Sequence, residues 1–225
     1  MRDANMPTTP ADTSASEGNA PGKRRRDAAA TRQAILDAAL AAFTQYGYDG
    51  VGVRDIAQRA GVTAMLINRY FGSKEQLFAE AVDVSFAPRT VIAGTGAELA
   101  GETARALVAR TAPEAEELEP FLLMLRSAAN PRAAQIMREA IGRHPGRHLD
   151  DELPGDGAGI RAELMLSLQA GVWLMRSILG TPALTDEEPE ELAQRIEALF
   201  QVLVTPSPTG SPPVGSSHEA SGRCT

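Results

Sequence analysis

Residues 55–71, DIAQRAGVTAMLINRYF, set one glycine between two short stretches that each carry an apolar face at helical spacing. Ile56, Ala57 and Ala60 form the first face, and Ile67 and Tyr70 form the second. Gly61 between them can take the left-handed conformation that turns a chain sharply after a short helix. Val62 fills the corner, and Thr63 stands where a cap of the following helix belongs. Ala57 must be small because the second helix crosses close to it. Each position has a packing reason, and together they make the helix-turn-helix pattern.

The flanks extend the pattern. Ile35, Leu36, Ala39, Leu40 and Phe43 give a first helix one apolar face, and Gly47 ends it. Gly52 opens the next helix, with Asp55 placed near the positive end of its dipole. In FGSKEQLF, Ser73 and Gln76 make a capping box, so a fourth helix starts directly after the second of the pair. That start sets Lys74 and free helix N–H groups together, an arrangement suited to a phosphate.

The rest of the chain bounds the fold class. Apolar residues make up 43% and aromatics only 4%, so any core is built from Ala, Leu, Val, Ile and Met. Ala and Leu are strong helix formers, and no alternating β-branched segment bounded by turns occurs. The expected fold is all-α. Helices are expected near 28–46, 53–60, 64–71, 74–87, 96–111, 114–128, 131–143, 157–180 and 187–204. The Pro-, Ser- and Gly-rich ends are expected to be disordered. The expected domains are a basic-ended arm over 1–27, a helix-turn-helix domain over 28–74, a helical body over 75–204 and a tail over 205–225. Cys224 is the single cysteine, which suits a reducing compartment. With no apolar leader and no long apolar run, a cytoplasmic protein without a membrane partner is expected.

The formal net charge of −7 conceals a division. Residues 21–80 hold nine Lys/Arg and six Asp/Glu, whereas the remainder holds 13 against 23. An electropositive module therefore sits on an acidic body that repels DNA and confines it to one face.

The stretch ILDAALAAFTQYGYDGVGVRDIAQRAGVTAMLINRYFGSKEQLF, residues 35–78, resembles the DNA-binding domain of the TetR/AcrR family of bacterial transcriptional regulators. The resemblance rests on ILDAAL followed by Phe43, on the IAQRAGV turn, on RYF and on Lys74. It implies an N-terminal three-helix DNA-binding domain joined to a helical ligand-binding and dimerisation domain. The implied activity is regulation of transcription, as a ligand-responsive repressor binding a palindromic double-stranded operator. By the family's pattern, Ala64, Met65 and Asn68 face the major-groove floor, and Arg54 reaches a guanine or a phosphate. Thr63, Tyr70, Lys74 and Arg32 then touch the DNA backbone, and the KRRR run at 23–26 follows the minor groove or only solubilises the end. Two positions depart from the pattern. Gly52 replaces the usual Ser or Thr cap, and Asn68 replaces a Tyr of the recognition helix, which leaves the operator sequence open.

The body is then expected to dimerise and to sense. One short recognition helix reads few base pairs, so two are needed about a two-fold axis. IRAELMLSLQAGVWLMRSIL is apolar nearly all round, more than a monomer face requires. Leu164, Leu168, Val172, Met175 and Leu179, with Leu192, Ile196, Leu199 and Leu203, are the expected homodimer interface, and Gly171 permits close approach. Phe121, Met124, Met137, Met165 and Trp173 are expected to line a site for a small apolar effector. Arg126 and Arg176 read as surface or paired charges. His144 and His148 are four apart in RHPGRHLDDEL, but Pro145-Gly146 should break that helix, so no metal is expected. No nucleophile motif, phosphate loop or dinucleotide fingerprint occurs, so neither enzymatic activity nor a cofactor is expected. The alternative, motivated by Gly52 and Asn68, is a helical adaptor with a protein-binding body and weak or lost sequence-specific DNA binding.

Overall fold

The computed structural model describes residues 21–86, 92–112, 115 and 119–206. The expected tails fall largely outside the described residues, as do the side chains of the 23–26 basic run. Among the described residues the chain is all-helical, with no strand. Its helices are α1 (Pro21–Tyr46), α2 (Val53–Arg59), α3 (Ala64–Phe71), α4 (Lys74–Phe86), α5 (Leu99–Arg110), α6 (Glu119–Ser127), α7 (Pro131–Ile141), α8 (Arg147–Glu152), α9 (Ala158–Trp173), α10 (Pro182–Thr185) and α11 (Pro189–Val204).

Several boundaries differ from the pattern; the helix expected over 157–180, for one, is α9 followed by a π turn over Leu174–Ile178. Helix α1 begins at Pro21, so the basic run at 23–26 continues the helix backbone instead of preceding it. Pro145-Gly146 does not break the chain's helical course either. A π turn over Gly142–Gly146 joins α7 to α8, and Pro145 is buried inside it. The wider π ring leaves room for the proline ring that an α turn would exclude. Asp83 of α4 holds this turn, accepting from Arg143 Nη2 at 2.7 Å and lying 3.1 Å from His144 Nε2.

Two apolar cores meet in the middle of the molecule. The first gathers Ile35, Phe43, Ile56, Ile67 and Phe78 from α1–α4 and continues into Leu123 of α6 and Met137 of α7. Phe78 lies edge-on to both Phe43 and Tyr48, with centroids 5.0 and 4.9 Å away. This core does not end at residue 74. The second gathers Leu107 of α5, Leu149 of α8, Met165 and Trp173 of α9, and Phe200 of α11. Helix α6 is shared, giving Leu123 to the first core and Leu122 to the second.

Buried arginines brace the body. Arg176 is not a surface charge: it is buried, donating to Val108 O at 2.5 Å, Thr111 Oγ1 at 2.9 Å and Leu184 O at 3.0 Å. Burial pulls its pKa below the ordinary guanidinium value. Arg161, also buried, donates to Leu203 O and Val204 O at the end of α11. Each guanidinium thus sits at the negative end of a helix dipole, α5 for one and α11 for the other.

Candidate nucleic-acid interface and internal cavity

The turn after α2 is closed by two backbone bonds. Val62 N donates to Ala57 O at 2.9 Å and Gly61 N to Gln58 O at 3.2 Å, with Gly61 at φ +67. That pairing is a Schellman motif, which satisfies carbonyls the helix end would orphan. At the head of α2, Asp55 Oδ2 accepts from Gly52 N at 2.9 Å, the half of a capping box that a glycine N-cap still allows.

The turn orients α3 with Ile67 and Phe71 buried and its other face outward. Met65 is 79% exposed, and Asn68 and Arg69 are also exposed. Ala64 and Tyr70 are half-buried against the first core. Thr63 stands at the N-cap with extended backbone, yet its side chain makes no capping bond, so the expected hydroxyl cap is absent and the group is left for another partner. Ser73 Oγ does cap α4, accepting from Gln76 N at 3.2 Å. Lys74 follows with its Nζ 4.3 Å from the Tyr48 ring centroid, and partial burial lowers its pKa. Arg54 is exposed at the start of α2. Arg32 does not stand free: it pairs with Glu80 and lies 4.6 Å over the Phe71 ring. Thr63, Met65, Asn68 and Arg54 therefore stand exposed, while Arg32 is engaged by Glu80 and Phe71.

Helix α6 rivets this module to the body at its C-terminal end. Arg126 Nη1 donates to Thr44 O at 2.5 Å, Tyr48 N to Ser127 Oγ at 3.0 Å, and Asn130 Nδ2 to Asp49 Oδ1 at 2.9 Å. Gly47, at φ +74, lies so close that a Cβ there would stand 2.2 Å from Arg126 O. Sequence reasoning missed this joint because its partners are about eighty residues apart.

The same helix lines a cavity of about 400 Å³. Phe121 and Met124 of α6 face it, as expected, with Phe86, Ile141, Leu166 and Gln169 among their neighbours. Met137, Met165 and Trp173 do not line it. Met137 is buried in the first core, and Met165 and Trp173 are buried in the second, where Trp173 stacks on Phe121 at 5.0 Å. On α9, Met165 and Trp173 point into the body, while Glu163, Leu166, Gln169 and Ala170 line the cavity. Phe86 and Met124 belong to the first core, while Ile92, Phe121 and Leu166 belong to the second. The cavity occupies the seam between them.

Residues 35–81 match the family model described as bacterial regulatory proteins, tetR family, and residues 97–204 match the tetracyclin repressor-like C-terminal domain. The chain belongs to the TetR family. Among curated TetR-like relatives, the HTH-type transcriptional regulator RutR of Escherichia coli K12 is 41% identical over 71 residues, 30% of this chain and 34% of that protein. The aligned stretch thus spans about a third of that regulator's length. Among solved structures, a transcriptional regulator from Rhodococcus sp. Rha1 aligns with TM-score 0.54 and 24% identity over 77% of this chain and 95% of that one. The multidrug binding protein EbrR complexed with ethidium aligns with TM-score 0.56 and 20% identity over 78% and 99%. These two likenesses establish the TetR-like fold.

The expected dimer residues divide. On α9, Leu164 and Leu168 are exposed together with Ile160, and Val172 is half-buried; Met175, Ile178 and Leu179, in and just after the π turn over Leu174–Ile178 that follows α9, are exposed too. Nothing lies within 4 Å of a Cβ built on Gly171. On α11, Leu192 and Ile196 are buried within the body's own core, Leu203 is half-buried against it, and only Leu199 is exposed, beside Val202. The α11 stripe lies on the border between the side that packs on α5 and the solvent side. Periodicity therefore marks it as apolar without deciding what it meets.

Among the described residues no helix is long and apolar enough to cross a membrane, and no three-residue metal-binding cluster occurs.

Proposed function

We propose that this TetR-family chain is a ligand-responsive transcriptional repressor that grips a palindromic operator as a homodimer. The observation that supports this most is α3, whose apolar side is buried while Met65 and Asn68 face solvent. Met65 suits a thymine methyl, and Asn68 suits the paired donor and acceptor of adenine. Thr63, Tyr70 and Lys74 suit phosphates, and Arg54 a phosphate or guanine. A module as small as α1–α3 reads a few base pairs, so affinity requires a second copy with its reading helix about 34–36 Å away. The exposed α9 face, extended by Leu199 and Val202 of α11, supports pairing with that copy.

Regulation follows from the seam. A ligand in the cavity touches α4 at Phe86 and α6 at Phe121 and Met124, and α6 is fixed at its far end to the α1–α2 turn. A ligand favouring one packing of the two cores shifts the spacing of the paired reading helices. A coupling of about 1–3 kcal/mol lowers operator occupancy roughly 5- to 150-fold. EbrR, bound to ethidium, is a relative in fold that holds a small aromatic molecule, which is consistent with the same use here.

The test is fluorescence anisotropy with labelled duplexes from the DNA upstream of the chain's own reading frame. Saturable, salt-steep binding to an inverted repeat by two chains is expected. Weak binding that is blind to sequence would overturn the proposal and favour an adaptor.

A further inference from the structure

By the family's pattern Arg32 touches the DNA backbone, yet its guanidinium is already engaged within the protein. It pairs with Glu80 of α4 and lies 4.6 Å from the ring centroid of Phe71, the last residue of α3. Arg32 itself stands on α1, one turn before the buried Ile35 and Leu36. One planar group therefore ties three helices. The place it holds matters. Helix α3 has eight residues, of which Ile67 and Phe71 are the buried ones. Ile67 anchors the middle and Phe71 the end, where Gly72 turns the chain at φ +78 toward α4. That end cannot lift without parting the ring from the guanidinium. The charge points the same way: a phosphate contact needs a free cation, and the charge of Arg32 is matched by Glu80.

We infer that Arg32 is a positioning residue for operator reading, which holds the end of α3 through Phe71, is itself held by Glu80, and touches no phosphate. The inference rests on reading α3 as the helix that enters the major groove, and it gives one residue of that reading a different task. Met65 and Asn68 lie on the helix whose end is held, so Arg32 supplies the fixed angle at which they meet base edges. A helix end that frays in the free protein has to be ordered on binding, and the specific complex is the one that demands that order.

The experiment titrates Arg32→Met, Arg32→Lys and Lys74→Ala across salt, by fluorescence anisotropy, on two labelled duplexes. One is the DNA upstream of the reading frame, and the other is a scrambled duplex of equal length and composition. Arg32→Met is expected to lose roughly three- to ten-fold on the first duplex and nothing on the second, with the wild-type salt slope. Lysine should not rescue it. An ammonium serves a phosphate well, but it cannot lie flat on a ring while holding a carboxylate at its edge. Lys74→Ala sets the opposite standard, with equal losses on both duplexes and a slope lower by about one. Rescue by lysine, losses on both duplexes, a slope reduced by about one in Arg32→Met, or no loss at all would each overturn the role. Hydrogen exchange on the DNA-free protein, read by NMR, keeps the two readings apart. In Arg32→Met and in Glu80→Gln the Gly72 amide, which donates to Asn68 O at 2.9 Å, should exchange roughly three- to ten-fold faster. The Gly47 amide, which donates to Phe43 O at 2.8 Å, should keep its rate. Unchanged Gly72 exchange in both variants would overturn the positioning role. A wild-type protein with no preference for the upstream duplex would overturn the regulator reading, and the exchange rates would still decide the role of Arg32.

Discussion

Replacing Gly47 with alanine tests the joint between α1 and α6, and Gly61→Ala supplies the control. Both glycines have positive φ, +74 and +67, so each substitution incurs a left-handed strain of about 1–2 kcal/mol. Their surroundings differ. A Cβ at Gly61 meets nothing within 4 Å, whereas at Gly47 it stands 2.2 Å from Arg126 O and 2.9 Å from Arg126 C. Those atoms are backbone at the end of α6, so relief requires the helix to move by about an ångström. Overpacking of that kind adds roughly 1–3 kcal/mol. Gly61→Ala should therefore lose about 1–2 kcal/mol and Gly47→Ala about 2–5. Urea titrations at one protein concentration measure the difference, which matters because dimerisation would enter the apparent stability. Losses equal within about 0.5 kcal/mol would refute the argument that α6 is held against Gly47. A moved α6 should also distort the cavity that Phe121 and Met124 line.

Lys74→Ala should weaken binding to all DNA sequences alike and reduce the salt slope by about one, read from anisotropy titrations across salt. Asn68→Ala should relax preference at one base position with little change in that slope, as measured by competition with single-substitution duplexes. Leu168→Glu places a charge on the exposed α9 face and should give a folded monomer by sedimentation, with palindrome affinity reduced to that of a half-site. Arg176→Met leaves acceptors of Val108, Thr111 and Leu184 unpaired and should destabilise the chain by about 2–3 kcal/mol in chemical denaturation.

The helix-turn-helix was legible because everything that makes it is local. Gly61, Val62 and the Ile56–Ile67 spacing are read within one stretch, and the Schellman turn forms among the same residues. Asp55 was placed at the positive end of the α2 dipole for the same reason, and its bond to Gly52 N emerged only in the structure. What escaped was the partner of each apolar stripe. Leu192 and Ile196 face α5 of their own chain, and Met165 and Trp173 face the body's core, one stripe away from the cavity. Helical spacing shows that a face is apolar, but only the tertiary arrangement decides which neighbour covers it. Gln169 was invisible because a glutamine in a helix is unremarkable until its burial is known. Pro145 misled for a different reason: the penalty it imposes on an α turn does not apply to the wider ring that forms there.

The two ends of this molecule are tied down by different amounts of chain. Thr44 and Tyr48 of the reading module are held by Arg126 and Ser127, neighbours on the last turn of one short helix. The clamps of Arg161 and Arg176 spread instead over carbonyls and a hydroxyl near the ends of several helices. A disturbance at the end of α6 should therefore loosen the reading head while the rear of the protein stays locked, leaving a chain that has let go of its message before it has lost its shape.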